Sequence, residues 1–124
     1  MQGLNRIFLL GYLGHSPKMY STKNGHQFVA FSIATRRQSA EAEGEEKTRT
    51  DWHYVRVWGK QADNCVRLLE KGQPVMVEGY LSQYSQAAED GTTERKTGIN
   101  AIRVDFLPRA NRAESIENRP EAST

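Results

Sequence analysis

The strongest constraint on how this chain folds lies between Trp52 and Trp58, where the residues read Trp-His-Tyr-Val-Arg-Val-Trp. A strand sends successive side chains to opposite faces, so such a run separates by parity. His53, Val55 and Val57 make one face fit for a core, and Trp52, Tyr54, Arg56 and Trp58 make the other. Three rings and a guanidinium on the face away from a core call for a partner.

Other segments read as short strands separated by turn residues. From Arg6 to Gly14 the chain is mostly apolar, which suits a strand covered on both sides, by a core and by a partner subunit; Phe8 and Leu10 are its candidate interface residues. Val29, Phe31 and Ile33 alternate with small residues, and Asn24-Gly25 just before them is a tight-turn signal. That turn pairs a short strand near Lys18 to Tyr20 with Phe28 to Arg36. Residues 38–49, with their glutamates and no hydrophobic period, read as a mobile hairpin loop. From Lys60 to Lys71, Ala62, Cys65, Val66 and Leu69 fall at helical spacing, with Gly72 as the stop. Val75 to Tyr84 and Lys96 to Leu107 are two more strands around an Asp90-Gly91 turn. The predicted fold is therefore all-β: a five-stranded oligonucleotide-binding (OB-fold) barrel with one short α-helix between the third and fourth strands.

A length of 124 residues suits one domain, here 1–108, and the polar stretch 109–124 is too poor in apolar residues to bury itself. Lys and Arg number 17 against 15 Asp and Glu, so the formal net charge of +2 says little by itself. Distribution says more, because Glu41, Glu43, Glu45 and Glu46 sit together and leave the remainder basic. The lone Cys65 forms no internal disulfide, and no Cys/His ligand spacing is present, so neither metal nor cofactor is expected. The apolar run near the start is too short for a secretory core or a membrane span, which fits a cytoplasmic protein.

Unpaired bases expose their π-faces, and each one stacked on an aromatic ring contributes about 1–3 kcal/mol whatever its identity. Arginine adds phosphate contact and cation–π stacking. Aromatics in small proteins more often fill cores. For Trp52, Tyr54 and Trp58 together the binding reading is preferred, because the opposite face already holds the aliphatics. For Phe28, Tyr80 and Tyr84, packing and binding are both left open. Arg36 shares the parity of Phe28, and Arg37, Lys47, Arg49, Lys60 and Lys96 are candidates for a phosphate track. No histidine lies in a catalytic arrangement, so no enzyme activity is expected; His53 is assigned to the inward or subunit-interface face.

Several stretches resemble the bacterial single-stranded-DNA-binding protein family over about residues 1 to 107. They are Leu4 to Gly14 with Pro17, Asn24-Gly25, Phe31-Ser32-Ile33-Ala34-Thr35, Thr50-Asp51-Trp52-His53, Val57-Trp58-Gly59-Lys60, Leu69-Glu70-Lys71-Gly72 and Val77-Glu78-Gly79. The resemblance implies a homotetramer that wraps single-stranded DNA in replication, recombination and repair. It also implies that Trp52 and Trp58 stack bases and that His53 lies at a subunit interface. Family members often carry further stacking tryptophans at places that here hold approximately Ser39 and Gln86, which implies either weaker binding or Tyr84 as the substitute. They usually end in an acidic, aromatic-tipped tail that recruits replication and repair proteins, whereas this sequence ends Arg119-Pro120-Glu121-Ala122-Ser123-Thr124. Two other readings are an accessory factor of a replication-restart complex acting through protein contacts, and a barrel nuclease, disfavoured because the acid cluster lies in the loop. RNA as the bound strand stays open.

Overall fold

The computed structural model describes residues 1–40 and 46–108. Its elements run β1 (Ile7–Leu13), β2 (Lys18–Ser21), β3 (Gln27–Ala40), β4 (Glu46–Trp58), α1 (Lys60–Leu68), β5 (Pro74–Ala87) and β6 (Thr93–Phe106). Strand order is β1-β5-β6-β4-β3-β2, and β1 also pairs β3, so β1, β5, β6, β4 and β3 close into a five-stranded barrel. All pairings are antiparallel except β4 with β6, which meet in parallel at Val55↔Ile99 and Arg56↔Asn100. The β2 strand lies outside the closed ring as the partner of β3. Its hairpin turns where Asn24-Gly25 predicts, with Gly25 at φ 85° and its N–H donating to the Thr22 carbonyl at 3.0 Å.

Alternation fills the interior. Leu9 and Leu13 of β1, Val29, Phe31 and Ile33 of β3, Val55 and Val57 of β4, Val75 and Val77 of β5, and Ile99 of β6 are buried together. Each such side chain contributes about 1.5–3 kcal/mol by leaving water. The seam between β1 and β3 is short, Tyr12↔Ala34 and Leu13↔Ile33. Gly11 permits it, since a Cβ there would strike the Ala34 carbonyl oxygen.

Helix α1 covers part of the barrel through Ala62 and Cys65, with Leu69 buried just beyond it. Its position is fixed by Gln61, whose amide donates to the Ile102 carbonyl at 2.7 Å and accepts from the Val104 N–H at 3.1 Å.

Several expectations need correction. The segment 38–49 is not all loop: β3 runs through Ala40 and β4 starts at Glu46, making a long two-stranded ribbon. Backbone pairing continues to Ala40↔Glu46, which outweighs the missing hydrophobic period. Glu41, Glu43 and Glu45 lie outside the described residues, as do residues 109–124, while Glu46 opens β4. The β5–β6 ribbon is likewise longer than predicted, so the loop around Asp90-Gly91 shrinks to 88–92. Val66 is exposed although its spacing put it on the apolar stripe. The helix ends before Gly72 because Leu69 turns extended (φ −88°, ψ 139°) to bury its side chain. Within one chain β1 is covered on one side only: Leu9 and Leu13 point in, and Phe8, Leu10 and Tyr12 are exposed.

Candidate nucleic-acid interface

Residues of β4 turn outward as their parity requires. Val55 and Val57 are fully buried, whereas Trp52 is 60% exposed and Trp58 36%. The third odd-numbered residue, His53, is half-buried, and its Nε2 is hydrogen-bonded to the Thr35 hydroxyl at 2.8 Å. The neighbouring strand leaves room for the outer side chains: in register, Ala34 faces Trp52, Ser32 faces Tyr54 and Ala30 faces Arg56. Two glycines complete the floor. Trp52 packs against Gly14, where any Cβ would collide with its ring. At Gly98 a Cβ would sit 3.2 Å from both the Tyr54 and Tyr84 rings.

The side chains assemble into a continuous aromatic surface. Tyr20 stacks on Phe28 with centroids 5.4 Å apart, and Phe28 meets Trp58 at 4.7 Å. The Trp58 indole N–H donates to Asn100 Oδ1 at 3.3 Å, and the Asn100 amide donates to the Tyr80 hydroxyl at 3.5 Å. Tyr54 and Tyr84 pair at 5.7 Å. Between these groups lies the Arg56 guanidinium, its Cζ 3.8 Å from the centre of Tyr84, 5.0 Å from Phe28 and 5.5 Å from Tyr54. Its Nε is buried and has no hydrogen-bond partner among the described residues. Burial pushes the Tyr84 hydroxyl above the usual phenol range, nearby Tyr54 adds to the rise, and Arg56 opposes it. A cavity of about 560 Å³ opens here, walled by Tyr20, Phe28, Tyr54, Arg56, Tyr84 and Lys96.

The cations divide by face. Arg36, opposite Thr50 in register, shares the outer face with Trp52, and Lys96, opposite Tyr84, shares it with the ring cluster. Lys60 is exposed at the start of α1. Arg37, Lys47 and Arg49 have the opposite parity, and the unbroken β3–β4 register places them on the other side of the ribbon from the rings. Arg37 is also committed to Asp51, its Nε donating to the carboxylate at 2.7 Å. Lys96 lies 3.9 Å from Glu94. Phe28, Tyr80 and Tyr84, left open by sequence, all lie on the outer face, but one face of Tyr84 is already covered by Arg56. Gln86 lies in the cavity wall, while the side chain of Ser39 is outside the described set. Tyr20, Asn100 and the two glycines were missed. Tyr20 was findable, because the Asn24-Gly25 turn sets the register Tyr20↔Phe28; Asn100 had no local signal, since only the parallel β4–β6 pairing brings it to Trp58.

The closed five-stranded barrel that carries this face is shared with known proteins. A model of the Single-strand binding protein family matches residues 4–107. The chain belongs to this family. It is 39% identical over 105 residues to the single-stranded DNA-binding protein 1 of Chlorobaculum tepidum, covering 85% of this chain and 64% of that protein. It is 34% identical over 117 residues to the single-stranded DNA-binding protein of Thermus aquaticus, covering 94% and 44% respectively. The chain thus spans under two thirds of the length of these family relatives. Among solved structures it resembles Plasmodium falciparum SSB in complex with ssDNA, with a TM-score of 0.74 and 26% identity over 87% of this chain and 98% of that one. A deletion mutant of the Thermus aquaticus protein matches with a TM-score of 0.73 and 33% identity, covering 86% of this chain and 51% of that one.

Proposed function

We propose that this chain binds single-stranded DNA with little regard to sequence, stacking bases on its outer aromatic face and holding the backbone with arginine and lysine, in the service of replication, recombination and repair. The observation that carries this reading is the outward placement of Trp52, Tyr54, Arg56 and Trp58 over a core the aliphatic residues already fill. Family membership and the likeness to a family structure solved with ssDNA support it. Trp52 and Trp58, six residues apart, are separated by about 20 Å of strand, enough for one strand of nucleic acid to engage both.

Self-association belongs to the same reading. Phe8, Leu10 and Tyr12 are 65%, 63% and 57% exposed on one face of β1, beside Met76 on β5. Such an apolar strip favours a second copy, and a homotetramer is the state proposed. The reading contains no catalytic step and no cofactor, and the cytoplasm is its proposed location. Among the described residues no helix is long and apolar enough to cross a membrane.

The test is a titration with oligo-dT. Intrinsic fluorescence from Trp52 and Trp58 should quench, affinity should fall as salt rises, and duplex should compete poorly. Absence of quenching, or equal affinity for duplex, refutes the proposal and leaves a protein-binding accessory role. Matched DNA and RNA oligomers in competition decide which strand is preferred.

A further inference from the structure

We infer that Arg56 reads a nucleobase edge, so that one nucleotide position of an otherwise sequence-tolerant groove favours bases offering two adjacent hydrogen-bond acceptors: N7 and O6 of guanine, or O2 and N3 of unpaired cytosine. The inference rests on the proposed single-strand binding and concerns what that site selects.

Its basis is the placement of the guanidinium. Rings of Tyr84, Phe28 and Tyr54 surround it, their centres 3.8, 5.0 and 5.5 Å from Cζ. None of the ion pairs shown by the described residues includes it, and its buried Nε meets no acceptor. What the cage leaves for a ligand is the end of the fork, the two Nη amines, whose spacing suits a pair of acceptors. A phosphate has such a pair too, but position argues against it. Arg56 sits on the floor, opposite Ala30 on one side and Asn100 on the other. A phosphate drawn down to that floor would turn its bases away from the rings, giving up the stacking. Backbone charge is better met by Lys96 and Arg36, which are exposed. A base stacked among Phe28, Tyr20 and Trp58 brings its edge toward the guanidinium, and the cavity of about 560 Å³ has room for it. Adenine sets the N6 amine beside N1 and N7 and leaves N3 single, and thymine sets N3–H between O2 and O4, so neither offers two adjacent acceptors and one amine is left unsatisfied or opposed.

The experiment measures affinity for short dT oligomers carrying one central dG, dC or dA, a single guanine being unable to form a quadruplex. The dG or dC oligomer should bind about 5- to 100-fold more tightly than the dT and dA oligomers. Which of the two bases is read follows from which arm gains. If guanine gains, replacing it with 7-deazaguanine, which lacks the N7 acceptor, should remove most of the gain without any change to the protein. Arg56→Lys keeps the charge but loses the fork, and should bring the four oligomers together. Uniform affinity of the wild type across bases overturns the inference while leaving single-strand binding intact. A preference that survives both 7-deazaguanine and Arg56→Lys overturns it, as does an Arg56→Lys loss equal for every oligomer, which marks a phosphate contact. Failure to bind any oligomer overturns the proposed function itself.

Discussion

Replacing Trp58 with alanine separates the two roles an outer aromatic plays. The indole is 36% exposed, with Phe28 at 4.7 Å and Asn100 holding its N–H. About two thirds of an aromatic surface of roughly 200 Å² is therefore covered, and at ~25 cal/mol/Å² its loss costs stability at most ~3 kcal/mol. A domain stable by about 5–15 kcal/mol stays folded after that loss. The exposed remainder is what a base meets, and one lost stack of about 1–3 kcal/mol weakens DNA binding by about 5- to 150-fold. Anisotropy of a labelled dT oligomer gives the affinity, and a urea transition confirms that the variant is folded. Trp58→Phe should retain much of the affinity, because the ring persists and only the Asn100 bond goes. Trp52→Ala should cost less stability, since that ring is 60% exposed, and a similar share of binding. A folded Trp58→Ala variant whose affinity stays within twofold of wild type would refute the stacking argument.

Three other perturbations probe separate features. Gly11→Ala drives a methyl into the Ala34 carbonyl at the β1–β3 seam, and should lower unfolding free energy by about 2–4 kcal/mol in urea titration; a shift under 1 kcal/mol would mean the seam yields freely. Arg36→Ala should weaken oligomer binding and reduce its salt slope by about one unit, while Arg37→Ala, on the opposite face and paired with Asp51, should leave both nearly unchanged; the reverse ranking would contradict the register. Burial pushes the Cys65 thiol up to about 11 from 9.0, so the unfolded chain gives up this proton first as pH rises. The stability this group contributes is fully present below pH 9 and fades toward pH 11, by about 2–3 kcal/mol. Denaturation curves at pH 8 and pH 10.5 should therefore show the wild-type advantage over Cys65→Ala shrinking; a constant difference would rule the effect out.

The ring-bearing face of β4 was legible from parity alone, because a strand with Val55 and Val57 buried has no choice about where Trp52, Tyr54, Arg56 and Trp58 go. Alternation and turn chemistry likewise gave the succession of elements along the chain, the helix and the Asn24-Gly25 hairpin, since each is a local preference. Tertiary structure decided what depends on pairing at a distance. The β3–β4 register extends the ribbon well past the last hydrophobic residue and turns Arg37 and Arg49 away from the rings. Parallel contact between β4 and β6 brings Asn100 to Trp58, and Gly98 to Tyr54 and Tyr84. Barrel closure brings β3, β4 and β5 together until Phe28, Tyr54 and Tyr84 surround Arg56. Local sequence sets the face a side chain takes; only the closed sheet sets which side chains from distant strands share that face, and how near they come.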